Sequence, residues 1–278
     1  MKNILVLGGT GTTGRRIARR LTAAGHLVRT ASRNGGDLRL DLDDPATWAP
    51  ALDGAGAVYL LEPEVRPGPD RQERIPGLVA EAVAAGVGRL VLLSAYGVGE
   101  AGDGHPLKAA EQAVRGSGVE WTVLRPGWFA QNFSESFWLS GVLAGTLALP
   151  TGDGRTPFVD AEDIAEVAAV SLTEDGHSGR TYQLTGPRAI DVAEAVDLIA
   201  TATGRTVRHL DLEPEAFVDR MVAEGTPADF ARLLTDLLVD VREGRGGEVS
   251  DGVERALGRP PRSFETYVAE AAAAGCWS

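Results

Sequence analysis

Cysteine is almost absent from this chain of 278 residues, where Cys276 stands alone near the end. A single thiol closes no internal disulfide, and no cysteine–histidine set has zinc-ligand spacing, so no metal site is expected. Lysine is nearly as scarce: Lys2 and Lys108 are the sole examples, and arginine supplies every other cationic side chain. Base is also short against acid, with 27 Lys and Arg facing 39 Asp and Glu for a formal net charge of −12. Binding along a nucleic-acid backbone or an anionic membrane needs a basic surface, so neither partner is expected. A small anion in a local basic pocket remains compatible with that balance. Long apolar runs are missing too. The opening MKNILVLGGTG meets glycine too soon for a signal peptide or a membrane span, and a cytoplasmic protein is the expectation. Aromatic residues make up only 6%, yet several fall together just after Pro126.

What is present is a core-forming composition, 44% hydrophobic, in short bounded runs. Strands are predicted at Asn3–Leu7, Leu27–Ala31, Leu38–Asp41, Ala57–Leu61, Arg89–Ser94 and Glu120–Arg125, and later at RTYQLTG. Each is short and mostly apolar on both faces, as buried parallel strands are. Helical spacing lies between them, as in Ile75, Leu78, Val79, Ala82 and Val83, with Gly25 and Gly86 as stop signals. DAEDIAEVAAVSLTE and AIDVAEAVDLIATATG are predicted helices, and PGWFAQNFSESFWLSGVLAG reads as loop plus short helix. Alternating strand and helix with short links gives right-handed βαβ units. The fold class is therefore α/β, a Rossmann-type doubly wound parallel sheet with a small, mostly helical C-terminal substrate-binding lobe. Residues 1–150 are read as the dinucleotide-binding core, and 151–278 as remaining sheet elements plus the lobe, in one structural unit.

The first strand runs straight into GGTGTTGRR, residues 8–16, and then into a helix. Gly8, Gly11 and Gly14 form GxxGxxG, and Gly9, Gly11 and Gly14 also satisfy GxGxxG. Glycines permit the tight turn, let backbone amides approach a pyrophosphate and let the helix pack on the strand. Thr10, Thr12 and Thr13 belong to the same turn. The helix N-terminus then faces the phosphates with its partial positive charge. A site preferring NAD(H) places a carboxylate at the end of strand two, roughly 20 residues onward. Here Ser32 and Arg33 occupy that place, and the first carboxylate is Asp37. A guanidinium grips a 2′-phosphate that a carboxylate would repel, so the expected cofactor is NADP(H) in preference to NAD(H). Arg15 could add to that pocket, or could lie on a solvated helix face. Asp41 and Leu42 could border the adenine, or Asp41 could cap the next helix.

Ligands of such folds sit beyond the carboxyl ends of the strands. Leu61 and Glu62, Ser94 to Gly97, Pro126 to Asn132, and the helix bearing Lys108 all converge there. Trp128, Phe129, Asn132, Phe133 and Trp138 are the candidate contacts to a flat small-molecule substrate, through stacking, cation–π and polar interactions. At least two of the five aromatics Trp128, Phe129, Phe133, Phe137 and Trp138 are expected to be core packing instead. Asp160, at a predicted helix start, is read as an N-cap rather than a catalyst.

The sequence resembles the NmrA-like branch of the atypical short-chain dehydrogenase/reductase superfamily. It is similar to bacterial relatives of ergot-alkaloid reductases of the festuclavine dehydrogenase type and to NADPH-dependent quinone oxidoreductases. GGTGTTG (8–14), LVLLSAYG (90–97), GVEWTVLRPGWFAQNFSE (118–135) and TGDGRTPFVDAEDIAEVA (151–168) carry the likeness. The resemblance implies a Tyr-x-x-x-Lys pair in which lysine holds the nicotinamide ribose. Lys108 matches the lysine, but Gly104 stands where the tyrosine belongs. The superfamily's serine falls at Ser94 or, in another register, at Tyr96. Tyr96, His105 and Lys108 are the candidates to replace the missing acid. Each has an ordinary alternative: packing for Tyr96, a surface place for His105, an ion pair with Glu111 for Lys108. The expected activity is reduction by NADPH of an electron-poor C=N, C=C or quinone group in a small aromatic or polycyclic molecule of secondary metabolism. The alternatives are a non-catalytic NADP(H) sensor, or an isomerase or cyclase on the same fold. A monomer or homodimer is expected.

Overall fold

In the computed structural model, residues 1–63 and 71–278 are described. The strands are β1 (Asn3–Leu7), β2 (Leu27–Ser32), β3 (Leu38–Arg39), β4 (Ala57–Leu61), β5 (Arg89–Leu93), β6 (Glu120–Pro126), β7 (Thr146–Leu149), β8 (Arg180–Leu184) and β9 (Arg208–Asp211). The first helices are α1 (Thr12–Ala23), α2 (Trp48–Leu52), α3 (Arg71–Ala84), α4 (Pro106–Gly116), α5 (Asn132–Glu135) and α6 (Leu139–Leu143). They are followed by α7 (Ala161–Thr173), α8 (Val192–Thr203), α9 (Pro214–Ala223), α10 (Ala228–Arg242), α11 (Gly252–Leu257) and α12 (Phe264–Ala273).

A seven-stranded sheet runs in the order β3-β2-β1-β4-β5-β6-β8. Every pairing in it is parallel. Strand order reverses at β1, whose neighbours are β2 and β4, so β1 marks the point where an open α/β sheet binds its ligand. The Rossmann-type reading of the sequence therefore holds. Two short strands, β7 and β9, form a separate parallel pair that the apolar pattern did not announce. Three of the four residues in β9, Arg208, Leu210 and Asp211, are exposed, so the strand carries little hydrophobic signal. The predicted third strand is cut short after Arg39. The amide of Asp41 is taken at 2.9 Å by the hydroxyl of Thr47, and Asp41 bridges back to Asp44 in a turn.

The chain divides into two compact units. One comprises Met1–Pro126, Ala161–Leu184 and Asp251–Pro260; the other comprises Gly127–Asp160, Thr185–Ser250 and Pro261–Ser278. The first holds the large sheet: Leu5, Leu60, Leu90, Leu92 and Val123 are fully buried on one face, packed with Leu78 of α3, and Ile4, Val6, Tyr59, Val91 and Leu124 on the other. Burial of each such aliphatic side chain stabilises by about 1.5–3 kcal/mol. The second is mostly helical and builds its own core around Phe133, Val142, Ile199 and Trp277, with the Trp277 indole donating to the Phe133 carbonyl at 2.9 Å. Among the described residues, no helix is long and apolar enough to cross a membrane.

Buried charge is paired in the first unit. Glu162 of α7 accepts from Arg16, Arg19 and Arg20 of α1 at 3.1, 2.6 and 2.8 Å, tying one helix to the other. Glu111 of α4 is buried and is gripped by Arg125 of β6 at 2.8 and 2.6 Å. It also accepts from the Ser94 hydroxyl at 2.6 Å and from Arg115 at 3.1 Å. Burial pushes its carboxyl up, but the bonds from Arg125 and Ser94 outweigh that and hold it below the ordinary carboxylate value.

Removing one partner of a buried pair leaves the other charge uncompensated. Glu111→Gln is therefore expected to lower stability by about 3 kcal/mol near neutral pH, read from thermal melting. Because the folded-state carboxyl is the stronger acid, its contribution is complete above the ordinary value of 4.5 and is lost as pH falls through the depressed folded value. The gap between wild type and variant should close over that range. A gap that stays constant into acid would show that the Glu111 charge is not the source.

Candidate cofactor and catalytic site

The glycine turn is shaped by contact rather than by flexibility alone. Gly8 has φ +69°, a left-handed backbone. A Cβ on Gly14 would lie 2.1 Å from the Gly8 carbonyl oxygen, and one on Gly9 would lie 2.4 Å from the Thr30 Cβ of β2. The first turn of α1 thus packs directly on the end of β1. Gly11 is its N-cap; no side chain among the described residues caps it, and its first turn carries no acid. Its amides keep the field of the helix end for an anion. Thr10 and Gly11 are exposed, as is Arg15, while Thr12 is half-buried. Thr13 is buried, and its hydroxyl accepts from the Tyr59 hydroxyl at 3.0 Å, so its side chain faces the sheet. A cradle that any side chain would fill, at an uncapped helix end, fits a dinucleotide pyrophosphate.

Beside this turn lies a pocket of about 180 Å³, whose lining includes Ser32, Arg33, Asp41, Leu42, Leu61 and Arg74. The structure thus brings together the residues read from the ends of β2, β3 and β4. Ser32 donates its hydroxyl proton to the Gly35 carbonyl. Asp37, the first carboxylate after β2, turns back onto the strand and accepts from the Thr30 amide at 2.8 Å and its hydroxyl at 2.9 Å. Those bonds hold its pKa below the usual range. The Asp41 carboxylate accepts from the Asp43 amide at 3.1 Å, and its carbonyl accepts from the Trp48 indole at 2.8 Å. Glu62 differs from expectation. Its side chain is fully buried, and Arg74 holds both carboxylate oxygens. Arg74 was not read from the sequence. The signal was there: it stands four residues before Leu78 on the apolar face of α3, a place where a cation needs a buried partner.

Among the described residues, the candidate acids His105 and Lys108 prove to be engaged, as does Ser94, while Tyr96 is not. Ser94 gives its proton to Glu111, as described above, which leaves only lone pairs for a cofactor. Lys108 pairs with Asp103 at 3.0 Å and donates to the Ala101 carbonyl at 2.6 Å; it does not pair with Glu111. His105 is the N-cap of α4, and its Nδ1 accepts from the Leu107 amide at 3.2 Å. Burial lowers its pKa, against the opposing pull of Glu111. Tyr96 is exposed, and its amide donates to the Pro126 carbonyl at 2.9 Å, which sets it at the carboxyl ends of β5 and β6. Its hydroxyl makes no hydrogen bond among the described residues. Gly104 is not imposed by packing: a Cβ there would meet only the Gln72 amide nitrogen, at 3.7 Å.

The aromatic segment splits in the same way. Phe133 and Trp138 are buried and belong to the core of the second unit, where Phe133 sits edge-on to Trp138, Phe158 and Phe264. Both were candidate substrate contacts, and of the five aromatics they are two that pack as core. Trp128, Phe129 and Asn132 are half-buried. Trp128 stacks on Trp138 at 5.4 Å, and Phe129 bridges to Val159. Phe137 is mostly exposed. Asp160 is buried and accepts from the Gln131 amide at 2.7 Å.

The sequence matches the model of a family described as NAD(P)H-binding over residues 8–175. The chain belongs to that family. An uncharacterized oxidoreductase of Bacillus subtilis, YesF, is 37% identical, with 97% of this chain and 95% of that protein covered. Festuclavine dehydrogenase of Aspergillus fumigatus is 33% identical over 94% of each chain. The crystal structure of Citrobacter sp. triphenylmethane reductase with NADP(H) superposes with a TM-score of 0.78 at 23% identity, covering 97% of this chain and 99% of that one, and shows the shared fold. This NAD(P)H-binding protein is thus a reductase of that family.

His105 gives the site of this reductase a pH-sensitive edge. Its cap requires a bare Nδ1, so protonation removes the acceptor. A histidine with a lowered folded pKa contributes stability that is complete above its ordinary value of 6.5 and is lost as pH falls below it. The Leu107 amide should lose exchange protection as pH falls below 6.5 and through the lowered folded value. His105→Asn keeps a capping acceptor without titrating, and protection at Leu107 should then hold across that range. An unchanged pH response in the variant would remove His105 as its cause.

Proposed function

We propose that this protein uses NADPH to reduce an electron-poor C=N, C=C or quinone group of a small aromatic or polycyclic molecule, in cytoplasmic secondary metabolism. One observation carries the reading: among the candidate acids, Tyr96 alone has a hydroxyl without a hydrogen-bond partner, while Ser94, His105 and Lys108 are engaged. When bound, the reduced nicotinamide supplies a hydride. An acceptor that needs no strong acid suits the residues present. A cationic iminium becomes a neutral amine without a proton, and a reduced quinone can take its protons from water. The name of festuclavine dehydrogenase, a relative over nearly the whole chain, points to the same class of substrate.

The glycine turn would hold the pyrophosphate with its amides. Arg33, with Ser32, would take the 2′-phosphate, and Asp41 and Leu42 would border the adenine. Lys108 would hold the nicotinamide ribose. Trp128, Phe129 and Asn132 are the candidates for contact with the acceptor. The work of the protein is then mainly positioning, which can supply a large share of the barrier reduction.

Arg33→Ser is expected to weaken NADPH by about ten- to a hundredfold in calorimetry, the value of a lost charged hydrogen bond, and to leave NADH unchanged. Equal losses for both cofactors would deny Arg33 the phosphate. With a panel of quinones and cyclic iminium ions, wild type should consume NADPH, and Lys108→Ala should lose about a hundredfold in turnover. Tight NADPH binding with no acceptor turned over would sink the proposed reaction.

A further inference from the structure

Arg74 is buried, lines the pocket beside the glycine turn, and has its guanidinium held by carboxylates from two sides. Nε and Nη2 form a fork on Glu62, with the Nε bond at 3.3 Å, and Nη1 donates to Asp43 at 2.7 Å. Glu62 follows β4, Asp43 follows β3, and Arg74 lies in the first turn of α3. The one side chain therefore ties three elements of the first unit at the rim of the pocket that it lines with Asp43 and Leu42. Its side chain is 8% exposed and that of Glu62 is 0% exposed, so the pair is shielded from solvent and its plane is fixed. With three of its five N–H donors held by carboxylates, the guanidinium keeps a fixed plane and a face for a ligand. A guanidinium face stacks on a flat aromatic ring.

We propose that Arg74 is an adenine-binding residue of this reductase, offering its guanidinium face to the base while Glu62 and Asp43 hold its plane. The inference rests on the reading of the pocket as the adenosine end of the cofactor site. It separates two arginine roles there. Arg33, exposed at the end of β2, meets charge; Arg74, buried and edge-paired, meets the ring. It also gives the buried Glu62 a function, since an acid beside a phosphate turn would otherwise oppose the ligand.

The test compares charge with shape. Arg74→Lys keeps a cation for Glu62 but has no planar face. Calorimetry with 2′,5′-ADP, which carries only the adenosine half of the cofactor, and with reduced nicotinamide mononucleotide, which carries only the other half, reads the two ends separately. The expected result is a loss of about tenfold or more for 2′,5′-ADP and NADPH, with the mononucleotide unchanged. Full 2′,5′-ADP affinity in Arg74→Lys overturns the proposal, as does an equal loss for both half-cofactors, which marks a general structural effect. Should Arg74→Lys fail to fold, Arg74→Met combined with Glu62→Gln removes both charges together, and the same split in affinity is expected. Wild type that binds neither NADPH nor 2′,5′-ADP would fail the cofactor reading itself, a different result from either reversal.

Discussion

The closest approach in the site is between backbone and backbone, where the first turn of α1 lies on the carbonyl of Gly8. A Cβ at residue 14 would stand 2.1 Å from that oxygen, well inside any allowed contact. This spacing sets the direction of α1, and with it the place at which the uncapped helix end meets the edge between β1 and β4. The pocket residues of β2, β3 and β4 take their use from that point. Lost contact here would move the anion-binding amides away from the side chains arranged around them.

Around this turn, a chain with a net charge of −12 must still accept a polyanion. It does so by pairing its nearby acids. Arg74 holds Glu62, Arg125 holds Glu111, and Arg16, Arg19 and Arg20 hold Glu162. Asp163 is likewise met by Arg259 at 2.8 Å. Each pair is made with arginine, whose planar fork satisfies two oxygens at once and tolerates burial. The scarcity of lysine follows the same chemistry: a point charge on a flexible stem would serve these forks poorly. Lys108, the exception near the site, makes single contacts to a carbonyl and an exposed carboxylate.

The central sheet was legible because parallel strands buried on both faces announce themselves as apolar runs, and Gly8, Gly11 and Gly14 mark the turn between two of them. What the sequence could not show was the partner each polar side chain would take. Ser94 finds Glu111 seventeen positions away, and Lys108 turns to Asp103 rather than Glu111. His105 caps a helix instead of standing free, although its place just before Pro106 was a local sign of a helix start. Phe133 and Trp138 look like Trp128 in composition, and only the packing of α8 and α12 around them decides which are core. Short polar strands such as β9 leave no periodic trace at all.

The engaged acids bear directly on the chemistry the family member can perform. The Ser94 proton is given to the Glu111 carboxylate, and turning it elsewhere breaks a buried hydrogen bond to a charged acceptor. A neutral His105 with Nδ1 on the Leu107 amide can give up only its Nε2 proton, and doing so would create an imidazolate, far from its ordinary range. Gly104 leaves space for a side chain without supplying one. In the function proposed above, the side chains around Lys108 hold a cofactor more than they move protons. On the proposed reading, selection among acceptors follows from that: those whose reduction ends neutral, or ends on an oxygen that water can reach, proceed, and an unactivated ketone that demands an acid in its transition state does not.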